Sequence, residues 1–354
     1  MKRRQDPITQ KLTSKGHIMK AVGFTHYLPI TDPASFLDVE LSKPIAKGRD
    51  ILVAVKAVAV NPVDVKVRAP KDKVESQPRI IGYDAAGIVE SVGPEVALFK
   101  KGDEVYYAGD ITRPGTNQEY HLVDERIVGR KPQTLSFAQA AALPLTTITA
   151  YEAFFDRLKI DRDGTDKGKS ILIVGGAGGV GSIGIQLAKY AGLRVIASAS
   201  RPETTSWVKD LGADFVVSHR KSLVEQVRDS GFPFVDYVAI FNDMRHWDAA
   251  VELIKPQGSI VSIDDTNLPM PMATMKSKAA SFHWEFMFAR SMHQTHDMIE
   301  QHRLLSWVAT KIDEGKFKTT VAEVLTPINA ATMRHAHKIV ETGSVRGKIV
   351  IADF

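Results

Sequence analysis

The stretch SILIVGGAGGVGSIGIQLAKYAG, residues 170–192, decides the fold of this chain. It opens with the apolar run SILIVG, which is typical of a buried strand, and continues into VGSIGIQLAKYAG, in which apolar residues recur at helical spacing. A G-x-G-x-x-G motif joins the two and consists of Gly176, Ala177, Gly178, Gly179, Val180 and Gly181. The motif alone is weak, but between a strand and a helix it predicts a dinucleotide-binding loop. An ordinary glycine-rich turn is the alternative.

The glycines of this motif have separate physical roles. Gly176 permits a tight turn, Gly178 lets the backbone approach a pyrophosphate, and Gly181 lets the helix and strand pack closely. The amide groups at the helix N-terminus then face the anion. We therefore expect residues 176–180 to bind a dinucleotide cofactor.

The sequence after the motif alternates between strands and helices. Further strands are predicted at RVIASAS (194–200), DFVVSH (214–219), VDYVAIF (235–241) and GSIVSID (258–264). Such alternation is typical of a parallel sheet built from βαβ units. Residues 19–145 instead contain short strands, such as ILVAVKAVAV at 51–60, and predict a small barrel or sandwich. Helices at about 292–313 and 329–342 and a strand at 347–352 complete the predicted elements.

The end of the second strand of this sheet indicates which cofactor binds. An NAD enzyme usually has Asp or Glu there, which binds the ribose 2′-hydroxyl. This chain has Ser200 and Arg201, which can bind a 2′-phosphate that a carboxylate would repel, and Glu203 follows on the next helix. We therefore predict NADP(H), with His219 at the end of the third strand as a further binding residue. Solvated surface positions for Arg201 and His219 are the alternative.

Cysteine is absent from the 354 residues, which excludes several classes of site. The chain can form no disulfide, no thiolate-held iron–sulfur cluster, no cysteine-ligated zinc site and no cysteine nucleophile. This composition fits a reducing compartment such as the cytoplasm. No apolar run reaches the roughly 18 residues that predict a membrane span.

The net charge of +5 is concentrated at the N-terminus. Residues 1–18 hold five basic residues against one acidic residue and so account for most of the excess. We predict that this segment is a disordered tail or an expression remnant; a basic arm for an anionic partner and a targeting segment are the alternatives. The remainder is nearly neutral, which disfavours nucleic acid as a partner because such binding requires many phosphate contacts.

Four motifs together resemble a known family, and they are GGAGGVGSIGIQLAK (175–189), GYDAAGIVESVG (82–93), NPVD (61–64) and GKIVI (347–351). The chain resembles the medium-chain dehydrogenase/reductase superfamily, above all its zinc-independent quinone oxidoreductase branch, which contains zeta-crystallin and proteins labelled zinc-type alcohol dehydrogenase-like. The resemblance implies an α/β fold in which a Rossmann doubly wound parallel sheet is inserted in a GroES-like β-barrel catalytic domain. The barrel would span 19–145, the NADP-binding domain 146–287 and the return to the barrel 288–354, with homodimers formed through the Rossmann sheet.

The motifs depart from the zinc-binding members of the superfamily. Those members have Cys in the region of NPVD and Gly-His-Glu where this chain has Gly82-Tyr83-Asp84, and they carry a four-cysteine lobe that is missing here. The resemblance therefore implies NADP(H) without zinc, and we predict no metal ligands. His293 and His296 share a helix face by spacing, but a surface or packing role is favoured for them over a metal site.

The resemblance also implies a set of site residues in the cleft between the two domains. The catalytic candidates are polar side chains near the nicotinamide and the substrate, namely Asn61, Asp64, Lys66 and Tyr83. The further cofactor-binding candidates are Thr147, Asn242, Met287, Phe288 and Lys348, the last beside the cofactor phosphates.

Each candidate has a structural alternative. For the catalytic set these are a turn at Asn61, a helix cap at Asp64, a solvated position for Lys66 and a core position for Tyr83. Thr146 is an alternative to Thr147, and the aromatic stretch FHWEFMFARS (282–291) is an alternative core segment.

Hydride transfer without a metal suits a carbon that is already electrophilic, as in quinones and α,β-unsaturated carbonyl compounds. We predict an NADPH-dependent oxidoreductase acting on a small molecule of this kind. The alternatives are a 2-enoyl thioester reductase and a non-enzymatic NADPH-binding sensor, RNA binder or structural protein. Family members that reduce enoyl thioesters often have a tyrosine shortly after the Asn-Pro motif, and the segment 65–80 has none.

Overall fold

We describe a computed structural model of the chain over residues 18–267 and 269–354, so the predicted tail at 1–18 lies outside the described residues except for Ile18. The strands of the N-terminal part are β1 (Ile18–Tyr27), β2 (Leu37–Ser42), β3 (Asp50–Val60), β4 (Lys71–Ile80), β5 (Ala85–Val92), β6 (Glu104–Tyr107), β7 (Tyr120–Asp124) and β8 (Val128–Arg130). Its helices are α1 (Pro62–Arg68), α2 (Phe137–Ala141) and α3 (Pro144–Tyr151). A π-helical segment, Glu152–Arg157, continues α3.

The middle of the chain forms a parallel sheet with helices between its strands. In chain order these elements are β9 (Ser170–Val174), α4 (Gly179–Tyr190), β10 (Arg194–Ser198), α5 (Pro202–Asp210), β11 (Phe215–Val217), α6 (Leu223–Asp229), β12 (Val235–Ile240), α7 (Trp247–Leu253), β13 (Ile254–Ser262) and β14 (Ser281–Trp284). The six strands lie in the order β11-β10-β9-β12-β13-β14 and all pair in parallel. Every residue of β9 is buried, as expected for a strand covered on both faces. The predicted doubly wound sheet is confirmed.

The C-terminal part returns to the sheet that the N-terminal part began. Its elements are α8 (Ala289–Met292), α9 (Glu300–Asp313), β15 (Val321–Leu325), α10 (Ala330–Glu341) and β16 (Lys348–Ala352). β16 runs antiparallel to β3, with Ile349 opposite Val60, in a seven-stranded sheet of order β15-β16-β3-β5-β6-β8 to which β7 adds beside β3. A separate three-stranded sheet has the order β2-β1-β4. The sheet of β9–β14 is therefore inserted in a mainly antiparallel domain, as predicted.

One hydrophobic cluster extends through both domains. It includes Tyr83 from the N-terminal part, Ile171 from β9, Ile183 from α4 and Leu305 from α9. Helix α3 crosses between the domains and is buried from Pro144 to Ala150. The ends of β3 and β9 and the starts of β5 and β16 are thereby held near one another, and the candidate site lies among them.

The predicted helix at about 292–313 is shorter than its apolar periodicity suggests. Gln294 has a φ of +48°, a left-handed conformation that no helix interior accepts, so α8 ends at Met292 and α9 begins at Glu300. No helix in the described part of the chain is long and apolar enough to cross a membrane.

Candidate cofactor and substrate site

The glycine-rich loop connects the buried end of β9 to the first turn of α4. A Cβ atom on Gly181 would lie 2.2 Å from the carbonyl oxygen of Gly175, and one on Gly176 would lie 2.9 Å from the Cβ of Ala197. At Gly178, the N-cap of α4, the nearest such atom would be 3.6 Å away, so the backbone there can be approached closely. The loop is tight toward the sheet and open at the helix N-terminus, as pyrophosphate binding requires.

The segment that leads into β16 packs against this loop. The amide of Gly347 donates to the carbonyl oxygen of Ala177 at 2.9 Å. The φ of Gly347 is +58°, and a Cβ there would lie 2.3 Å from the carbonyl oxygen of Thr320, so glycine is required on both counts. The aliphatic part of the Lys348 side chain then passes Gly179. A Cβ atom on Gly179 would lie 2.9 Å from Cδ of Lys348.

Arg201 is the N-cap residue of α5 and has two partners within the chain. Its Nε lies 2.6 Å from Oε1 of Glu203, and its Nη2 donates to the carbonyl oxygen of Ser344 at 2.6 Å. Ser200 beside it is partly exposed. The predicted 2′-phosphate position therefore carries a cation that already has a carboxylate partner.

His219 is a further polar side chain at this edge of the sheet, near the basic side chains of Arg201 and Arg220. Its ring is half-buried, and its centroid lies 6.5 Å from that of His246. Burial and the nearby positive charges of His246, Arg220 and Arg201 lower the pKa of His219. An anion bound among these four side chains would reverse that effect. His246 was not predicted, because it lies in a short turn after β12 that no sequence motif marks.

The two candidate threonines of α3 differ in their hydrogen bonds. The Thr146 hydroxyl donates to the carbonyl oxygen of Leu143 at 3.0 Å. The Thr147 hydroxyl is buried and has no hydrogen-bond partner within residues 18–267 and 269–354. Because an unpaired buried hydroxyl costs free energy, Thr147 is the better placed of the two to bind a ligand group.

Asn61, Asp84 and Lys348 form a hydrogen-bonded cluster, and none is more than 3% exposed. The Lys348 ammonium donates to Asp84 Oδ2 at 3.0 Å, to the Val60 carbonyl oxygen at 3.0 Å and to Asn61 Oδ1. Asn61 Nδ2 donates to Asp84 Oδ2 at 2.8 Å, and the amide of Leu145 donates to Asp84 Oδ1 at 2.7 Å. The cluster thus connects β3, α3 and β16.

The position of Lys348 corrects the prediction that it binds the cofactor phosphates. An ammonium group has three N–H donors, and all three are used by protein acceptors. Its charge therefore acts on Asn61 and Asp84. Asp84 was quoted in the sequence motif but not selected as a site residue.

Asp64 lies beside this cluster in the first turn of α1. Its Oδ2 accepts from the amide of Asn61 at 2.7 Å, which is the helix-cap role that was its alternative. Its Oδ1 is buried and has no hydrogen-bond partner in the described part of the chain. Burial, aided by the negative charge of Asp84, raises the pKa of Asp64 to about 7 against the opposing effects of the Asn61 amide and Lys348. A carboxyl group that titrates near neutral pH therefore lies in the site.

Tyr83, Met287 and Phe288 lie together in the central hydrophobic cluster. The rings of Tyr83 and Phe288 meet edge to face with centroids 5.2 Å apart. Burial and the charge of Asp64 raise the pKa of Tyr83, while Arg79 opposes them. The Tyr83 hydroxyl stays protonated at neutral pH and is able to donate a hydrogen bond.

Lys66 and Asn242 lie at the mouth of the cleft. The Lys66 ammonium is 2.6 Å from Asp265 Oδ1 and 3.4 Å from Asp264 Oδ1, so it joins α1 to the loop after β13. Asn242 follows β12 and lies beside the glycine-rich loop. A Cβ atom on Gly175 would lie 3.0 Å from the Cβ of Asn242. The sequence predicted a strand that ends at Asp264 but did not reveal the contact of Asp264 with Lys66.

A second buried charged cluster lies behind Met287 and was not predicted. Glu152 and Glu285 are 0% and 3% exposed, and their carboxyl groups face each other. Arg290 Nη1 lies 2.7 Å from Glu152 Oε1, and Arg157 Nε lies 3.0 Å from Glu285 Oε2. Burial and the charge of Glu152 raise the pKa of Glu285 to about 9. The cluster joins the π-helical segment to the stretch between β14 and α8.

Side chains suited to metal binding do not converge in the part of the chain that the structure describes. No group of three or more His, Cys, Asp and Glu side chains that could hold a metal ion occurs there. At Asn61 and Asp84 the polar atoms instead bind the Lys348 ammonium. That positive charge would oppose a divalent cation at the same place.

Comparison with known families agrees with this architecture. Residues 47–146 match the alcohol dehydrogenase GroES-like domain, and residues 211–351 match the zinc-binding dehydrogenase family. The two matches fall on the barrel and on the sheet with its return to the barrel.

Individual relatives cover almost the whole chain. A zinc-type alcohol dehydrogenase-like protein of Staphylococcus aureus strain Mu50 is 43% identical over 335 residues, covering 94% of this chain and 99% of that protein. A 2-methylene-furan-3-one reductase of Solanum lycopersicum is 33% identical over 344 residues, covering 94% of this chain and 79% of that protein. A crystal structure of a Rhizobium etli CFN 42 protein, provisionally described as a zinc-dependent alcohol dehydrogenase, is 54% identical and superposes with a TM-score of 0.91 over 96% of this chain and 99% of that one.

Proposed function

The chain belongs to the medium-chain dehydrogenase/reductase superfamily, and on that basis we propose that it is an NADPH-dependent, zinc-independent reductase. Its acceptors are quinones and α,β-unsaturated carbonyl compounds. The name of the tomato relative, a 2-methylene-furan-3-one reductase, describes a substrate of the second kind.

The cofactor fits the described site at three places. The open backbone at Gly178 suits the pyrophosphate, the unpaired Thr147 hydroxyl suits the nicotinamide amide, and Arg201 with His219 suits the 2′-phosphate. When bound, NADPH supplies a hydride. The residues of this chain then have to hold the cofactor, orient the acceptor and stabilise the negative charge that develops on its oxygen.

The observation that carries the proposal is the buried ammonium of Lys348 between Asn61 and Asp84. It brings a fixed positive charge into the candidate site. Such a charge disfavours a zinc ion at the same place, and its pairing with Asp84 keeps the polar atoms there occupied. Without a Lewis acid the acceptor carbon must itself be electrophilic, which favours enones and quinones over alcohols.

Two further groups are able to move or hold a proton. Tyr83 keeps its hydroxyl proton at neutral pH because burial and the charge of Asp64 raise its pKa. Asp64, with a pKa of about 7, can exchange a proton at working pH. Protonation of the reduced product by either group, or by solvent, is compatible with this arrangement.

The test is NADPH oxidation by the purified protein with 9,10-phenanthrenequinone, a simple enone, crotonyl coenzyme A and, in the reverse direction, primary alcohols. We expect turnover of the quinone and the enone, no alcohol oxidation and no effect of EDTA. Loss of activity with EDTA and its recovery with zinc would overturn the zinc-independent proposal. NADPH binding without turnover of any acceptor would favour a non-enzymatic role, and turnover of crotonyl coenzyme A alone would favour a thioester reductase.

We also propose that two chains pair along β14, which is an edge strand of the six-stranded sheet. Trp284 and Phe286, at and beyond its end, are 51% and 48% exposed. An apolar edge of this kind is a favourable surface for a second strand. Light scattering should report a dimer, and Trp284→Lys should shift it toward monomer; a wild-type monomer at all concentrations would contradict the proposal.

A further inference from the structure

A cavity of about 610 Å³ lies between the β1–β2–β4 sheet, the loop that follows β6 and the start of β7. Most of its wall is apolar and includes Met19, Leu41, Pro78, Ile80, Ile111 and Leu122. The volume falls in the range of small-molecule sites, which are mostly apolar with a few polar groups that fix orientation. No role has been assigned to this cavity so far.

The charged groups in the cavity wall leave an excess of positive charge. Lys73 and Arg79 share a single carboxylate, Glu75, at 2.8 Å and 3.6 Å. Arg113 is neutralised by Asp50, which accepts from both of its terminal nitrogens at 2.8 Å. Lys73 and Arg79 together therefore carry one positive charge that Glu75 does not balance.

Arg79 has hydrogen-bonding capacity to spare. Its guanidinium donates to the Tyr27 hydroxyl at 2.6 Å, and its side chain is 32% exposed. A guanidinium has five N–H donors in a fork that matches a carboxylate. His121 in the same wall has both ring nitrogens engaged, with the Tyr107 hydroxyl and the Pro114 carbonyl oxygen, and burial lowers its pKa to about 4, so it stays neutral.

The cavity adjoins the candidate site. Ile111, in its wall, packs against the central cluster that contains Tyr83 and Phe288. Arg79, also in its wall, is close enough to the Tyr83 hydroxyl to lower its pKa against the larger effect of burial. Ile111 and Arg79 therefore connect the wall of the cavity to the surroundings of Tyr83.

We propose that this cavity, which adjoins the candidate site through Ile111 and Arg79, holds the apolar body of the acceptor and that Arg79 pairs with an anionic group, such as a carboxylate, at the end remote from the conjugated carbonyl. The inference rests on the proposed function and specifies its substrate class as long, amphipathic enones with one terminal acid. In the reaction the β-carbon accepts the hydride of NADPH, the electrons of the C=C bond shift to the carbonyl oxygen, and a proton from solvent completes the saturated ketone. The terminal acid is unchanged and serves only in binding.

The experiment compares a medium-chain enone that ends in a carboxylate with its methyl ester, by kcat/KM and by calorimetric binding to the NADP-loaded protein. In the wild type we expect kcat/KM for the acid to exceed that for the ester by about tenfold or more, mainly through KM. Arg79→Met should abolish this difference between acid and ester, and Arg79→Lys should restore part of it. Arg228→Met, at an ion pair with Glu252 on the outside of α6, is the matched control.

Equal kcat/KM for acid and ester in the wild type would overturn the inference, as would an Arg79→Met variant that loses activity on both equally. Reduction of 9,10-phenanthrenequinone distinguishes the two failures. If only the inference about the cavity is wrong, the protein still reduces the quinone. If no acceptor is reduced, the proposed function fails, and the calorimetric comparison still tests the cavity. Preferential binding of the acid that Arg79→Met abolishes would support the inference, and equal binding of acid and ester would overturn it.

Discussion

The ion pair of Lys348 and Asp84 is almost fully enclosed, with side chains 4% and 0% exposed at 3.0 Å. The GKIVI motif drew attention to Lys348, but its partner is 264 residues distant in the chain, and no local spacing reveals such a contact. Sequence reasoning therefore found one half of the pair and assigned it a phosphate contact. The glycines of the loop were easier to assign, because the roles of Gly176 and Gly181 depend only on a strand and a helix that adjoin them.

Asp84→Asn should destabilise the protein strongly. The substitution leaves the Lys348 ammonium buried without a counter-charge, which costs on the order of 3–5 kcal/mol. Chemical denaturation would measure this decrease in the free energy of unfolding. The double variant Asp84→Asn/Lys348→Met should recover much of the loss, whereas Lys100→Met at the exposed pair with Asp103 should change stability by less than about 0.5 kcal/mol. An unchanged Asp84→Asn protein would show that the ammonium is solvated.

Asp64→Asn should change the pH dependence of stability. Because the pKa of Asp64 is raised from 3.8 to about 7 in the folded state, its contribution to stability is full below the unfolded pKa and is lost as the pH rises through about 7. The amide keeps the oxygen that accepts from the Asn61 amide and does not ionise. Unfolding free energies measured between about pH 4 and about pH 8 should fall less steeply in the variant. Parallel curves for variant and wild type would contradict a raised pKa.

Arg201→Ala should weaken NADPH binding by about tenfold or more while changing NADH binding little. Glu203→Gln should strengthen NADPH binding, because its carboxylate lies 2.6 Å from the Arg201 guanidinium and competes with the 2′-phosphate. Fluorescence titration with both nucleotides would measure these effects. Equal losses for the two nucleotides in Arg201→Ala would remove Arg201 from the phosphate site.

At the scale of elements, the strands of the six-stranded sheet could be predicted because burial on both faces gives continuous apolar runs. The ends of helices were less predictable. The break between α8 and α9 depends on one left-handed residue, Gln294, which is not a glycine and gives no signal. The π-helical continuation of α3 likewise has no sequence signature, although it carries Glu152 into the buried cluster with Glu285.

Glu285→Gln should raise stability at alkaline pH relative to the wild type. The pKa of Glu285 is raised from 4.5 to about 9, so its contribution to stability is full below the unfolded pKa and is lost as the pH rises through about 9. The glutamine mimics the protonated acid and avoids this loss. Thermal unfolding measured from about pH 7 to about pH 9.5 would show the difference in stability between the variant and the wild type. Glu323→Gln on the exposed strand β15 is the control, and identical pH profiles for Glu285→Gln and wild type would contradict the shift.

At the scale of the whole molecule, the resemblance to the medium-chain dehydrogenase/reductase superfamily predicted the insertion of one domain in another. The change from short, Gly-rich strands to strand–helix alternation near residue 145 marked the entry to the inserted sheet. The side-chain partners at the boundary could not be predicted, because the contacts of Lys66 with Asp264 and Asp265 depend on how the domains pack. The cavity beside Arg79 lies within the N-terminal part, and it could not be predicted either, because its wall comes from four separate stretches of chain, at 19, 41–44, 73–80 and 111–122.

The pairing of β16 with β3 has a consequence for synthesis on the ribosome. Lys348 donates to the carbonyl oxygen of Val60, 288 residues earlier, and the whole six-stranded sheet is translated between them. That sheet contains all of its own strands and can fold while the barrel still lacks its partner strand. Asn61 and Asp84 therefore lack the Lys348 ammonium until β16 has been translated, and we expect the six-stranded sheet to form before this buried cluster does.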